Sequence, residues 1–267
     1  MVHRLIRAYL FTFALLLCLW VQAGEAAREP VPGLSVEKRE KGGVSYMVAR
    51  VRVDQASLRL YWKDAAGIPY RNFTTLRGAL DQKGERLVFA TNAGIYARDY
   101  TPLGLHVQDG QELEPLNLKT GGGNFFLKPN GVFYVAKGRA GVLSAEDYAA
   151  AKPQPELAVQ SGPMLLRHGE LHPRFIPDSD SRYVRNGVGV ISETEAVFVL
   201  SEQPVNFNDF ALFFRDELGC KDAIYLDGAL SGMYAPTIGR EDAGLLSVGM
   251  FGISVPKAGT DSDRGGR

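Results

Sequence analysis

Four polar segments interrupt apolar stretches of this 267-residue chain. They are Asn92-Ala93-Gly94, Ser161-Gly162-Pro163, Ser181 to Gly187, and Asp227-Gly228-Ala229-Leu230-Ser231. Each borders a run that reads as a strand, and loops at strand ends are where a rigid scaffold presents binding groups. The residue types on offer are guanidinium forks and a carboxylate. Arg182 and Arg185, three apart, can each bind two oxygens of an anion at once. Solvated surface charge is the competing reading, stronger for Arg182 than for Arg185. Asp227 stands at the end of an apolar strand with glycine next to it. There a carboxylate can serve as nucleophile, base or stabiliser of positive charge, and there an Asp-Gly turn also belongs.

Other chemistries lack their motifs. Gly228-Ala229-Leu230-Ser231-Gly232 has the wrong spacing for a nucleophile elbow. Thr120-Gly121-Gly122-Gly123-Asn124 is glycine-rich but lacks the lysine of a phosphate-binding loop. No paired histidines or paired cysteines at metal-ligand spacing occur, so neither a metal nor another cofactor is expected. His106, His168 and His172 each fall in hairpin or loop contexts and read singly as surface or packed residues.

Strands must position these groups. Val44–Asp54, Ser57–Lys63 and Arg86–Thr91 alternate or run apolar as strands do, and Arg86–Thr91 leads into Asn92. Asp109-Gly110 marks one hairpin turn, and Pro129-Asn130-Gly131, between NFFLK and VFYVAK, marks another. Thr74 or Thr75 caps a short helix that ends near Gly84, and Ser144 with Asp147 caps a second. Glu156–Gln160 and Met164–Arg167 flank Ser161, and Asn186–Ser192 pairs with Ala196–Ser201. Phe207, Phe210, Ala211, Phe214 and Leu218 form one apolar face of a helix over Asn208–Leu218, which Asn206 or Asn208 caps and Gly219 ends. Ala223–Leu226 is a short buried strand leading into Asp227, and Leu246–Val255 is the last. The expected fold is α+β: a hairpin-rich, antiparallel mixed sheet with two or three packed helices in one domain over 36–256.

The ends carry other signals. Arg4 and Arg7 precede an apolar run from Ala8 to Val21, followed by Val21-Gln22-Ala23. This is the pattern of a secretory signal peptide over 1–23, which predicts a periplasmic or secreted protein without a membrane span in its mature form. Leu17 before Cys18 is too large for a lipoprotein cleavage site. Residues 24–35 read as a linker and 257–267 as a disordered polar tail. Lys+Arg and Asp+Glu are 30 each. Removing Arg4 and Arg7 leaves 28 against 30, and a net charge near zero offers no field for nucleic acid. Only Cys220 then remains, so no intramolecular disulfide forms.

At the polar segments the chain resembles a known family. NAGIY (92–96), PLGLHVQDG (102–110), GNFFLKPNGVFYV (123–135), QSGPMLL (160–166), RNGVGV (185–190), PVNFNDFALFFRDELGC (204–220) and YLDGALSGMY (225–234) follow, in order, the phosphodiester glycosidase domain. Bacterial envelope proteins share this domain with the animal lysosomal uncovering enzyme, which removes N-acetylglucosamine from a phosphodiester. The resemblance implies an exported hydrolase of a sugar-1-phosphodiester bond in an envelope or extracellular glycopolymer. Where the animal branch has Leu-Asp-Gly-Gly-Gly-Ser, this chain keeps Asp227, Gly228 and Ser231 but replaces two glycines with Ala229 and Leu230.

On that reading Asp227 and Arg185 are catalytic, Arg185 gripping the phosphate. Asp209 is the candidate second carboxylate, although its place at a helix start fits dipole complementation as well. Asn92, Gly94, Asn124, Ser161, Gly162, Asn186, Gly228 and Ser231 are the expected substrate-binding residues, with Arg182 and Arg98 as weaker phosphate ligands. The partner is a sugar-phosphate or polysaccharide. A silent envelope module that binds a phosphate-bearing polysaccharide would use the same Arg and Asn residues, but it gains little from a carboxylate beside its anion.

Overall fold

The computed structural model describes residues 30–227, 230–243 and 246–257. The expected signal peptide, most of the expected tail and Gly228 lie outside the described residues. In chain order the elements are β1 (Leu34–Lys41), β2 (Val44–Arg52), β3 (Leu58–Tyr61), α1 (Phe73–Gln82), β4 (Glu85–Asn92), β5 (His106–Gln108) and β6 (Gln111–Glu114). There follow β7 (Gly131–Ala136), β8 (Arg139–Ser144), α2 (Ala145–Ala151), β9 (Leu157–Ser161), β10 (Met164–Arg167) and β11 (Glu170–Leu171). The last are β12 (Asn186–Ser192), β13 (Glu195–Ser201), α3 (Phe207–Leu212), β14 (Asp222–Asp227), β15 (Met233–Ala235), β16 (Arg240–Glu241) and β17 (Met250–Pro256).

The strands form three sheets rather than one. Their orders are β1-β2-β13-β12-β14-β10-β11, β16-β15-β4-β17-β3 and β6-β5-β9-β7-β8. Every ladder among the described residues is antiparallel, and the class is α+β as expected. The sheets meet on four phenylalanines, one face from each. Phe198 of β13 lies 5.8 Å from Phe89 of β4, 5.8 Å from Phe133 of β7 and 5.1 Å from Phe251 of β17, by ring centroids. Mostly tilted and edge-on, the rings favour one another through their quadrupoles as well as through buried area.

Helices cover the outer faces. Phe73, Leu76 and Leu80 of α1 pack on Tyr61, Leu87 and Ala90 of the second sheet. Phe210 of α3, and Phe213 and Phe214 of the π-helical turn that follows, pack on Tyr46, Val197 and Val199 of the first. Tyr148 of α2 meets Tyr134 edge-on at 5.8 Å over the third.

Local chemistry redraws some boundaries. Asn72, not Thr74 or Thr75, caps α1, its side chain accepting from the Thr75 amide at 2.8 Å. Leu34 begins a strand within the stretch expected to be a linker, because Val31, Leu34 and Val36 pack against the core. Pro129-Asn130-Gly131 is not a hairpin turn. Asn130 is fully buried and donates to the Phe125 carbonyl at 2.9 Å, and residues 124–126 form a 3-10 turn, not a strand. The turn joining β7 and β8 is Lys137-Gly138, whose φ values of 52° and 69° are both left-handed. Asp109-Gly110 closes β5 and β6 in the expected way, with φ of 51° and 76°.

Phe198 touches residues of all three sheets, so truncation there leaves a cavity no single sheet can collapse into. Phe198→Ala is expected to lower unfolding free energy by about 3–5 kcal/mol, read by denaturant titration.

Candidate functional site

The four polar segments meet where β4, β12, β14 and β15 end or begin. Asn186 opens β12 directly opposite Asp227, the last residue of β14, and a register shift separates Asn186 from Gly187. The Asn186 carboxamide uses both its ends. Its Oδ1 accepts from the Asp227 amide at 2.8 Å, and its Nδ2 donates to the Asn92 backbone carbonyl at 3.0 Å and to Asn92 Oδ1 at 2.9 Å. Asn92 Oδ1 also accepts from the Gly232 amide at 3.0 Å, and Thr91 Oγ1 donates to the Gly232 carbonyl at 2.9 Å. The segment from Asp227 to Gly232 is thus pinned at both ends by one buried amide pair. Two serines complete the fastening: Ser161 Oγ donates to the Leu226 carbonyl and Ser231 Oγ to the Asp227 carbonyl, both at 3.0 Å.

Close approach explains two glycines. A Cβ on Gly94, where φ is 78°, would lie 2.8 Å from Val159 Cγ1. One on Gly162 would lie 2.6 Å from Asn130 Cβ and 2.9 Å from the Phe125 carbonyl. Asn92, Ser161, Asn186, Gly94 and Gly162 therefore build the floor that holds Asp227 and do not face solvent.

Above it is a cleft of about 420 Å³, lined by Ile95, Leu103, Asn124, Tyr183, Tyr225 and Asp227, together with Gly122, Gly123 and Phe125. A hollow of about 310 Å³ beside β3 contains none of the four segments. Burial raises the Tyr225 hydroxyl pKa above its ordinary value; Asp227 adds to the rise, while Arg185 and Asn124 oppose it. Tyr96 is raised too, by burial and then by Asp227. Both phenols remain protonated near neutrality, and the Asp227 carboxylate stands among them half-buried.

Arg185 is only 1% exposed. Its guanidinium lies 3.7 Å from the Phe207 ring centroid, with Tyr183 at 5.4 Å and Tyr225 at 5.5 Å. Phe207 is itself stacked on Phe175 at 5.1 Å and 5°, and Phe175 on His172 at 4.9 Å. Nε donates to the Val205 carbonyl at 2.8 Å and Nη2 to the Ser181 carbonyl at 2.9 Å. The fork is thereby largely used, and a bidentate grip on an anion is not on offer; Nη1 has no hydrogen-bond partner among the described residues. Nor does any carboxylate there form an ion pair with Arg185. Burial lowers its pKa below the ordinary arginine value, yet arginine stays charged.

Arg182 and Asp209 lie outside the cleft lining. They form a 3.4 Å ion pair, both partly exposed, at the start of α3, where the Asp209 amide donates to Asn206 Oδ1 at 2.7 Å. The histidines are otherwise engaged. His106 is buried against Trp62 with its pKa pushed down to about 3, by burial and then by Lys63. His172 Nε2 faces the Lys128 carbonyl at 3.0 Å, and its Nδ1 accepts from the Arg174 amide. Among the described residues no group of three His, Cys, Asp or Glu side chains is placed to hold a metal. Burial drives the Cys220 thiol up to about 12, which leaves it unreactive. No helix among the described residues is long and apolar enough to cross a membrane.

Tyr96, Tyr183, Tyr225 and Phe207 are the site residues that sequence reading did not single out. Their signal was present only as aromatics next to Asn92-Ala93-Gly94, Arg185 and Asp227, and apolar periodicity assigns such residues to a core.

Asn186→Ala should cost about 1–3 kcal/mol, because the Asp227 amide and the Asn92 carboxamide lose their buried partner. Amide exchange should quicken at Asp227 and Gly232 more than in β13, read by hydrogen–deuterium exchange.

The profile of the phosphodiester glycosidase family matches residues 85–256, and the chain belongs to that family. An uncharacterized protein of Escherichia coli K12, YigE, is 41% identical over 177 residues, covering 66% of this chain and 69% of YigE. Among solved structures, the catalytic domain of zebrafish N-acetylglucosamine-1-phosphodiester alpha-N-acetylglucosaminidase superposes with a TM-score of 0.56 at 15% identity, covering 84% of each chain. A hypothetical protein from Synechocystis gives a TM-score of 0.54 at 15% identity, covering 84% of this chain and 62% of the other. At these identities the structural likeness is one of fold.

Proposed function

From membership of the phosphodiester glycosidase family, we propose that this protein hydrolyses a glycosyl-1-phosphodiester bond in a glycopolymer outside the cytoplasm. The observation that carries the reading is a buried guanidinium, Arg185, with no carboxylate counter-ion among the described residues, sharing the aromatic Tyr183–Tyr225 wall with the Asp227 carboxylate. A structural arginine buried this deeply is ordinarily paired. One without a carboxylate among the described residues sets a positive field on the adjoining cleft, which favours a substrate phosphate there without direct contact.

The reaction asks little more of the site. The bond from C1 to the phosphate oxygen breaks, and the phosphate monoester departs with the bonding electrons. Its second pKa is about 6, so it leaves as a stable anion and needs no strong general acid. This suits a cleft whose lining has Asp227 as its carboxylate, with Asp209 paired elsewhere. Asp227 stabilises the positive charge developing on the sugar ring, and water, giving up its proton to that carboxylate, takes the phosphate's place on C1. Tyr225 and Asn124 offer hydroxyl and amide groups to the departing phosphate or the sugar. The Arg4/Arg7 and apolar N-terminal pattern supports action beyond the cytoplasmic membrane.

Asp227→Asn is expected to abolish hydrolysis of a synthetic glycosyl-1-phosphodiester while keeping affinity for a non-hydrolysable analogue, measured by calorimetric titration. Arg185→Gln should weaken that affinity about 10- to 100-fold, the worth of an interaction with a charged group, and Arg185→Lys should recover part of it. Near wild-type turnover by Asp227→Asn would reduce Asp227 to a turn residue. Analogue binding by a wild-type protein that hydrolyses no such diester would make it a silent binding module.

A further inference from the structure

A small hairpin projects from the wall of the cleft. Ile95 and Leu103 line the cleft and form its root, with the Leu103 amide donating to the Ile95 carbonyl at 3.1 Å. Tyr96 bridges Pro102, the Ala97 amide donates to the Thr101 carbonyl at 2.8 Å, and the Tyr100 amide donates to the Ala97 carbonyl at 3.0 Å. Its tip is Arg98, Asp99 and Tyr100, all exposed. Asp99 turns back on its own loop, accepting from the Thr101 amide and hydroxyl at 3.2 and 2.7 Å.

Three observations mark this tip as a recognition surface. Tyr100 is 43% exposed, its ring 6.2 Å from that of Tyr96 and 5.8 Å from the Arg71 guanidinium. Tyr100 and Arg71 hold φ of 64° and 67°, left-handed conformations that cost a non-glycine residue about 1 kcal/mol or more and that no burial of these exposed side chains offsets. Among the described residues neither Arg71 nor Arg98 forms an ion pair, although most arginines there do. An exposed aromatic ring with one unpaired guanidinium 5.8 Å away, and a second arginine two residues before it in the same tip, suits a sugar ring bearing a nearby negative charge.

We propose that the hairpin 95–103, with Arg71, forms a second subsite for the continuing chain of an anionic glycan, one sugar ring stacking on Tyr100 while Arg71 and Arg98 bind the acidic groups next to it. This rests on the reading of the cleft as a glycosyl-1-phosphodiesterase and specifies its substrate as a charged polymer rather than a single sugar phosphate.

The experiment compares three synthetic substrates with one scissile bond: a monosaccharide diester, a neutral oligosaccharide diester and an acidic oligosaccharide diester. Wild type should show kcat/KM about ten-fold higher on the acidic oligosaccharide than on the monosaccharide, the worth of one ring contact and one ionic contact, and the gain should shrink as salt rises. Tyr100→Ala should erase that gain and Arg71→Gln should shrink it, yet both should leave the monosaccharide within about two-fold of wild type. Equal rates on all three substrates, or a gain that survives both variants, would overturn the subsite. If no diester is cleaved, the catalytic reading falls separately. The subsite is then judged by titration with the acidic oligosaccharide itself, which wild type must bind about ten-fold more tightly than Tyr100→Ala.

Discussion

The hydrogen bond between the Asn186 and Asn92 side chains is the point on which the site depends. It is buried in a low-dielectric interior, where a hydrogen bond is strong and a broken one is costly; Asn92 Nδ2 itself has no hydrogen-bond partner among the described residues. One amide reaches sideways along its own sheet to the Asp227 backbone, and the other reaches across to Gly232. Asn186 belongs to the seven-stranded sheet and Asn92 to a five-stranded one, so the same contact also fixes how those sheets face each other. An Asp carboxylate at the end of a strand would otherwise sit on a loop free to change conformation. Here its backbone is held from both sides before the loop begins.

Charge is managed by a second device. Arg185 is kept in the interior by two backbone carbonyls and the face of Phe207 instead of a carboxylate. Ring faces and carbonyl dipoles stabilise a cation without cancelling its net charge. The stack behind it, Phe207 on Phe175 on His172, is a column of flat groups that leaves the guanidinium little room to tilt. Aromatic support, with no carboxylate partner among the described residues, makes a positive potential that is both fixed and unspent.

Much of the fold was legible from pattern. Alternation located β2 and β3, an apolar run located β4, the hairpin pattern located β12 and β13, Asp109-Gly110 gave its turn, and Ser144 capped α2 as its spacing to Asp147 required. Illegible were the pieces whose shape is set from a distance. Asn130 reads as a turn residue until its burial and its bond to Phe125 are known. The π-helical turn after α3 keeps the apolar face of Phe210 and Phe214 but breaks the simple helical register. At the site, Asp227 and Asn186 were visible as polar interruptions of apolar runs. That Arg185 would be enclosed by Phe207, Tyr183 and Tyr225 was not, since residues separated in sequence assemble that box and each of them looks like ordinary core.

The four-phenylalanine junction also sets the order in which the chain can become a protein. Phe89 on β4 waits for Phe251 on β17, and β4 finds a ladder partner only when β17 and β15 have been made. Contacts this distant in sequence carry a high loop-closure cost and fold slowly. During synthesis local hairpins such as β1 with β2 and β7 with β8 can form early, whereas the central junction joins strands from the whole domain. The junction of the three sheets therefore closes only after β17, far along the chain, has been made.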